Sequence, residues 1–137
     1  MPESAALSYE VTLPLTDLAP TRARHLARDV LATWQLAAQA DTVGVVVTEL
    51  ISNAMQHGQP NDSLVLQMNF EDRCIRISVS DGSALRPIAQ QVEADQTSGR
   101  GMHIVEQLTD RWGTDASPGG GKRVWVELRV ADVDESL

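Results

Sequence analysis

Cysteine occurs once in the 137 residues, as Cys74, and a lone thiol excludes a disulfide within the chain. That usage fits a reducing cytoplasm; Cys74 falls in a strand-like stretch and reads as a small core residue or one lining a sheet. Basic residues are also scarce: 11 Lys and Arg stand against 19 Asp and Glu, a formal charge of −8. Non-specific binding to a phosphate backbone needs clustered cations, so direct nucleic-acid binding drops out of the expected functions. A nucleotide does not drop out, because backbone amides and a metal ion can hold one. Lysine is the scarcest cation, Lys122 alone against ten arginines, which reads as a bias of the source genome. No apolar run approaches the length of a membrane span, and the opening MPESAALSYE lacks the basic and apolar regions of a secretion signal. The expectation is a soluble cytoplasmic protein with no membrane attachment. Internal repeats and low-complexity tracts are absent as well.

What is present starts with 42% hydrophobic residues, enough at this length for a single domain, 1–137, with one core. The stretch Val43 to Gly58, VGVVVTELISNAMQHG, reads as an amphipathic helix. Val43, Val46, Val47, Leu50, Ile51, Ala54 and Met55 follow the i, i+3, i+4, i+7 spacing of a face turned to a core. Glu49, Asn53 and His57 form a second line beside it, each about 6 Å along the axis from the last and rotated by roughly 40°. A carboxylate and an amide at the edge of a buried face need partners once removed from water. They suit a metal ion and a polar substrate.

The rest of the chain supplies a frame. Leu7, Tyr9, Val11 and Leu13 alternate up to Pro14 and predict a first strand at a sheet edge. Helical spacing from about Asp17 to Leu36, with Asp17 as cap and Pro20 in the first turn, predicts a helix. A short break at Ala38 to Asp41 separates it from the Val43 helix, which Gly58 and Pro60 end. Leu64 to Phe70 and Ile75 to Val79 alternate as a hairpin with a turn at Glu71 and Asp72. Residues 83–98 carry no period and have the length of a lid. Gly99-Arg100-Gly101 opens a helix with Met102, Ile104, Val105 and Leu108 on its apolar face, running to about Arg111. Trp112 to Ala116 and Val124 to Val130 read as strands around the turn SPGGGK, and 131–137 forms an acidic tail. The order predicts an α+β fold: a two-layer α/β sandwich whose mixed, mostly antiparallel sheet is covered on one face by helices.

Three places besides the Val43 helix carry chemistry. Asp81-Gly82, where a strand ends, is either a turn closing its own backbone or a carboxylate accepting a hydrogen bond from the exocyclic amine of adenine. Gly99 and Gly101 at a helix start offer backbone N–H groups and the positive end of the dipole to a phosphate, or serve a tight entry into the helix. Gly119 to Gly121 offers the same choice between a phosphate contact and a plain hairpin turn, with the turn the preferred reading. On the helix itself, Asn53 offers a neutral oxygen to Mg²⁺ and Glu49 is placed to deprotonate an attacking hydroxyl or water. His57 is either part of that site or a last-turn cation complementing the helix dipole.

Taken in order, Glu-x3-Asn-x3-His on a helix, Asp-Gly after a strand, a lid, and Gly-x-Gly opening a helix resemble the N, G1 and G2 boxes of the GHKL (histidine kinase-like) ATPase superfamily. Within it ELISNAMQHG, VSDGS, SGRGMHIVEQLTDRWG and GGGKRVWVEL look like the stand-alone anti-sigma factor serine/threonine kinases of actinobacterial type. The resemblance covers Val43 to Val130. It implies a Bergerat-type ATP-binding fold with ATP and Mg²⁺ as cofactors. Asn53 would hold the metal, Glu49 would be the catalytic base and Asp81 would bind the adenine amine. Gly99 and Gly101 would contact phosphates, and His57, Gly82, Arg86, Arg100 and Met102 would complete the nucleotide site. It also implies binding of a sigma factor as a homodimer and phosphorylation of an anti-anti-sigma (STAS-type) protein. The G1 box departs from the family's Asp-x-Gly-x-Gly, reading Asp81-Gly82-Ser83-Ala84. That departure supports a second reading, a regulatory module that sequesters a sigma factor or other protein with little or no ATP chemistry. A detached histidine kinase catalytic part is disfavoured, since His25-Leu26 lacks the acidic neighbour and proline of a phosphoacceptor helix.

Overall fold

A computed structural model describes residues 6–56, 63–81, 99–116 and 121–130, with the backbone alone for 81 and 99–102. The lid, the acidic tail, and the candidate residues His57, Gly82 and Arg86 lie outside the described residues. The elements are β1 (Leu7–Pro14), α1 (Ala19–Thr33), α2 (Ala40–Met55), β2 (Ser63–Glu71), β3 (Cys74–Asp81), α3 (Gly99–Leu108), β4 (Arg111–Ala116) and β5 (Lys122–Arg129), with a single 3₁₀ turn, Ala37–Gln39, between the first two helices. The five strands form one sheet in the order β1-β2-β3-β5-β4, and every pairing is antiparallel. The expected sandwich is thus observed, with the sheet wholly rather than mostly antiparallel. No helix is long and apolar enough to cross a membrane among the described residues.

Alternation along the strands decides which face is covered. Leu64, Leu66 and Met68 of β2, Ile75, Ile77 and Val79 of β3, and Val124, Val126 and Leu128 of β5 are all buried. They pack with Ala23, Ala27 and Leu31 of α1 and Val43, Val46, Val47, Leu50 and Ile51 of α2 into one core. Gly44 lets the two helices close together: a Cβ there would stand 3.3 Å from Cγ of Arg24, whose stem lies across the helix contact. The opposite face carries Gln67, Arg76, Ser78, Trp125 and Glu127. There the guanidinium of Arg76 stacks 4.5 Å over the Trp125 ring and pairs with Glu127 at 2.8 Å. Cys74 lies on this face, half-buried, as the sheet-lining alternative expects, and burial pushes its thiol pKa up.

Element boundaries differ from expectation at several points, each for a local reason. Asp17 does not cap α1; the N–H of Leu18 is taken by Thr16 Oγ1 at 3.2 Å and that of Ala19 by the Thr16 carbonyl at 2.9 Å. α1 stops at Thr33, short of Leu36, because Gln35 adopts φ 64° and the N–H of Leu36 returns to the Leu31 carbonyl at 2.7 Å. α2 starts at Ala40 and ends at Met55, earlier at both ends than Val43 to Gly58. The β2–β3 turn is centred one residue later than expected, on Asp72 and Arg73, both at positive φ (55° and 61°). α3 ends at Leu108, where Thr109 Oγ1 donates to the Val105 carbonyl, and its Ile104 is exposed rather than part of the apolar face. β4 begins one residue early, at Arg111, and β5 ends at Arg129, leaving Val130 buried beyond it.

Candidate functional site

α2 positions the centre of the site. Its stripe behaves as the spacing predicts, with Val43, Val46, Val47, Leu50 and Ile51 sealed against the sheet and α1. Asn53 goes further in than a residue beside the stripe should: it is 8% exposed. α3 packs against α2. Oδ1 of Asn53 is buried and accepts no hydrogen bond among the described residues. An amide oxygen left without a donor inside a protein costs roughly 1–3 kcal/mol, so native structures seldom keep one without a use. Glu49, one turn earlier and about 6 Å back along the axis, is half-buried and has no hydrogen bond or ion pair among the described residues. An acceptor oxygen in the interior and a carboxylate at its rim thus share one edge of one helix.

β3 ends at Asp81, which pairs across the sheet with Leu64 at the start of β2. Residues 56–62 lead from the end of α2 to that same strand start, so the helix end carrying Asn53 and the sheet end carrying Asp81 are near neighbours in the chain. α3 begins at Gly99, as the Gly-Arg-Gly signal predicts, and its amide groups 99–101 form the open N-terminal end of a ten-residue helix. Its other end is fixed by Asp110, whose N–H donates to the Glu127 carbonyl at 2.9 Å while Oδ2 accepts from the Arg129 N–H at 2.6 Å. This junction anchors α3 through β5 and so holds it against α2. Thus Glu49 and Asn53 lie on α2, Asp81 ends β3 and Gly99–Gly101 open α3, and α2 packs against both of the other elements. Among the described residues no cluster of three or more His, Cys, Asp or Glu is arranged to hold a metal. The buried amide oxygen of Asn53 is a neutral hard donor of the kind that fits Mg²⁺, an ion that keeps most of its waters.

The chain matches the model of the histidine kinase-like ATPase domain over residues 14–128. It belongs to that family. The match takes in α1, which the motifs alone did not reach, and the edge strand β4, but of the other edge strand, β1, only its last residue, Pro14. No curated protein matches the chain. Membership of a histidine kinase-like ATPase family supports ATP binding by the domain. A separate cleft of about 260 Å³ between α1 and β1, bordered by Tyr9, Leu26, Asp29 and Trp34, contains none of these residues.

One residue next to Asp81 escaped the reading of the sequence. Lys122 looked like part of a glycine-rich turn; it is instead the first residue of β5, opposite Ala116 of β4. The last paired residues of β3 and β5 are Ser80 and Arg123, so Asp81 and Lys122 are the next positions on the two neighbouring strands. Being the single lysine of the chain was the signal available, but strand register cannot be read from composition.

Proposed function

We propose that the protein is an ATP-dependent serine/threonine kinase that acts as an anti-sigma factor, binding a sigma factor as a homodimer in the cytoplasm and phosphorylating an anti-anti-sigma (STAS-type) protein. The observation that carries this reading is the Oδ1 of Asn53, buried and without a partner among the described residues, one helical turn beyond the Glu49 carboxylate, which has no ion pair among them. A packing role asks for neither, whereas metal-assisted phosphoryl transfer asks for both. Asn53 holds Mg²⁺, which when bound offsets the charge of the phosphates. Asp81 accepts from the adenine amine, and the amides of Gly99 and Gly101 face the phosphates at the positive end of α3, with His57, Gly82, Arg86, Arg100 and Met102 around the nucleotide. Glu49 takes the proton of a serine hydroxyl on the partner as its oxygen bonds to the γ-phosphorus. The bond from that phosphorus to the β,γ-bridging oxygen breaks, and ADP leaves.

Two substitutions test the roles. Asn53→Ala is expected to abolish Mg²⁺-dependent ATP binding in calorimetry, and an unchanged affinity refutes the metal assignment. Glu49→Gln is expected to bind ATP normally and to slow transfer of labelled phosphate to captured partner by roughly 10²- to 10⁴-fold; an unchanged rate removes Glu49 as base. Ser83 and Leu85, where Asp-x-Gly-x-Gly has its glycines, favour the second reading, a regulatory module that sequesters its partner without catalysis. Wild-type protein that binds no ATP but retains a sigma factor decides for it.

A further inference from the structure

The cleft between α1 and β1 combines aromatic and aliphatic groups with a single charge. Leu26, Asp29, Val30 and Thr33 recur at i, i+3, i+4 and i+7 and so form one face of α1. Tyr9 of β1 and Trp34 complete the lining, both half-buried against the core. Asp29 interrupts this apolar line as an exposed carboxylate, and among the described residues no Lys, Arg or His borders the cleft with it. The Asp29 carboxylate, the Tyr9 hydroxyl and the Trp34 indole N–H make no hydrogen bond or ion pair among the described residues. The neighbouring Arg28 pairs with Asp41 at 3.6 Å instead. Aromatic rings around one unpaired carboxylate are complementary to an organic cation, because the rings attract the charge and the carboxylate pairs with it.

The strand beside the cleft is an edge. β1 pairs with β2 alone among the described residues, in unbroken register from Leu7 to Pro14. It lacks the usual protections of an edge, having no lysine, no bulge and no proline before its last residue. Such an edge can take an extended peptide as a further strand. Side chains on that strand alternate between the two faces, so every second one turns to the side of α1 and the cleft. Two occupants from this chain fail on charge. The β1 of a second copy, LSYEVTLP, brings no cation, and the tail brings Asp132, Asp134 and Glu135 against Asp29. We propose that β1 is a docking edge for an extended segment of a partner protein, whose arginine side chain enters the α1–β1 cleft, pairs with Asp29 and stacks on Trp34. Arginine fits better than lysine, since a planar guanidinium meets a carboxylate with two N–H groups while lying on a ring. None of these groups belongs to the nucleotide site.

A capped peptide, acetyl-Val-Thr-Arg-Thr-Val-amide, tests this when titrated into the isotope-labelled full chain by NMR and calorimetry. Saturable shifts are expected at the amides of Ser8, Tyr9 and Thr33 and at the Trp34 indole. Affinity should fall at least about 10-fold when citrulline replaces the arginine, keeping its shape without its charge, and again when the protein carries Asp29→Asn, the usual worth of a hydrogen bond between charged groups. Asp29 is exposed, so an unchanged melting temperature is expected of the variant. Equal affinity in either comparison overturns the charge pairing, and no binding, or shifts confined to other surfaces, overturns the docking edge. Agmatine binding as tightly as the peptide assigns the cleft to a small cation and overturns the strand docking. Peptide binding that is lost as the protein is concentrated into a dimer assigns the edge to a second copy of this chain and overturns it as well.

Discussion

Gln35 occupies a position that favours glycine. It follows α1 with φ 64°, its N–H bonded to the Ala32 carbonyl at 3.1 Å and that of Leu36 to Leu31 at 2.7 Å, the paired bonds of a Schellman end. A Cβ in the left-handed region costs roughly 1–2 kcal/mol, partly offset by the freedom glycine gains when unfolded. Gln35→Gly is therefore expected to stabilise the protein by about 1 kcal/mol, seen as a higher urea midpoint at unchanged slope; a lower midpoint contradicts the strain. The glutamine also explains what the sequence concealed. Helical spacing continues through Trp34 to Leu36 without a breaker, so the end of α1 is set by backbone geometry that no residue type announces. Asn53 is a similar case. Its line on the helix was legible, but its depth of burial is set by tertiary packing, which helical spacing does not state.

Among elements, the pair β4–β5 is held by an unusual fit. Gly113 lies opposite Trp125, and a Cβ on Gly113 would come 2.6 Å from Cζ2 of the indole. The ring is not free to withdraw, since the Arg76 guanidinium covers it at 4.5 Å and Arg111 flanks it at 5.8 Å. Gly113→Ala is expected to cost about 1–3 kcal/mol by overcrowding. Chemical denaturation of Gly113→Ala, Trp125→Leu and the double variant should show strong non-additivity, the double variant recovering most of the Gly113→Ala loss; simple additivity rejects the contact. Elements were the most legible scale. Period-2 runs gave β1, β2 and β3 almost to the residue, and the valine-rich stripe gave α2, because each pattern is local and strong. The β2–β3 turn slipped by one because Asp72 and Arg73 adopt positive φ with neither being glycine, where sequence preference points elsewhere.

Across the whole molecule the alternation and element order were enough for the two layers, but not for the strand order. β5 enters the sheet between β3 and β4, bonding Val126 to Ile77 on one side and to Trp112 on the other. That placement is what brings the first residue of β5 beside the last residue of β3, a neighbourhood that no local pattern announces. β5 is also the only strand that joins β4 to the sheet among the described residues. Val126→Pro removes an amide from this position, and proline in a central strand is scarcely tolerated. The expected result is loss of the cooperative thermal transition as a whole rather than local fraying of β4, checked by far-UV circular dichroism; a retained sharp transition argues against β5 as the keystone.

The strand order also sets a timetable for synthesis. β3 is complete at residue 81, but the neighbour on its far side starts at residue 122. At a translation rate of 5–20 residues per second, roughly 2–8 s pass before the ribosome has made it. Through that interval the growing chain carries β3 as an open strand edge, with β4 made before its partner exists. An unpaired edge recruits other chains, so the moment of greatest aggregation risk for this protein falls during its own translation, and codon choice across the intervening segment becomes a determinant of yield.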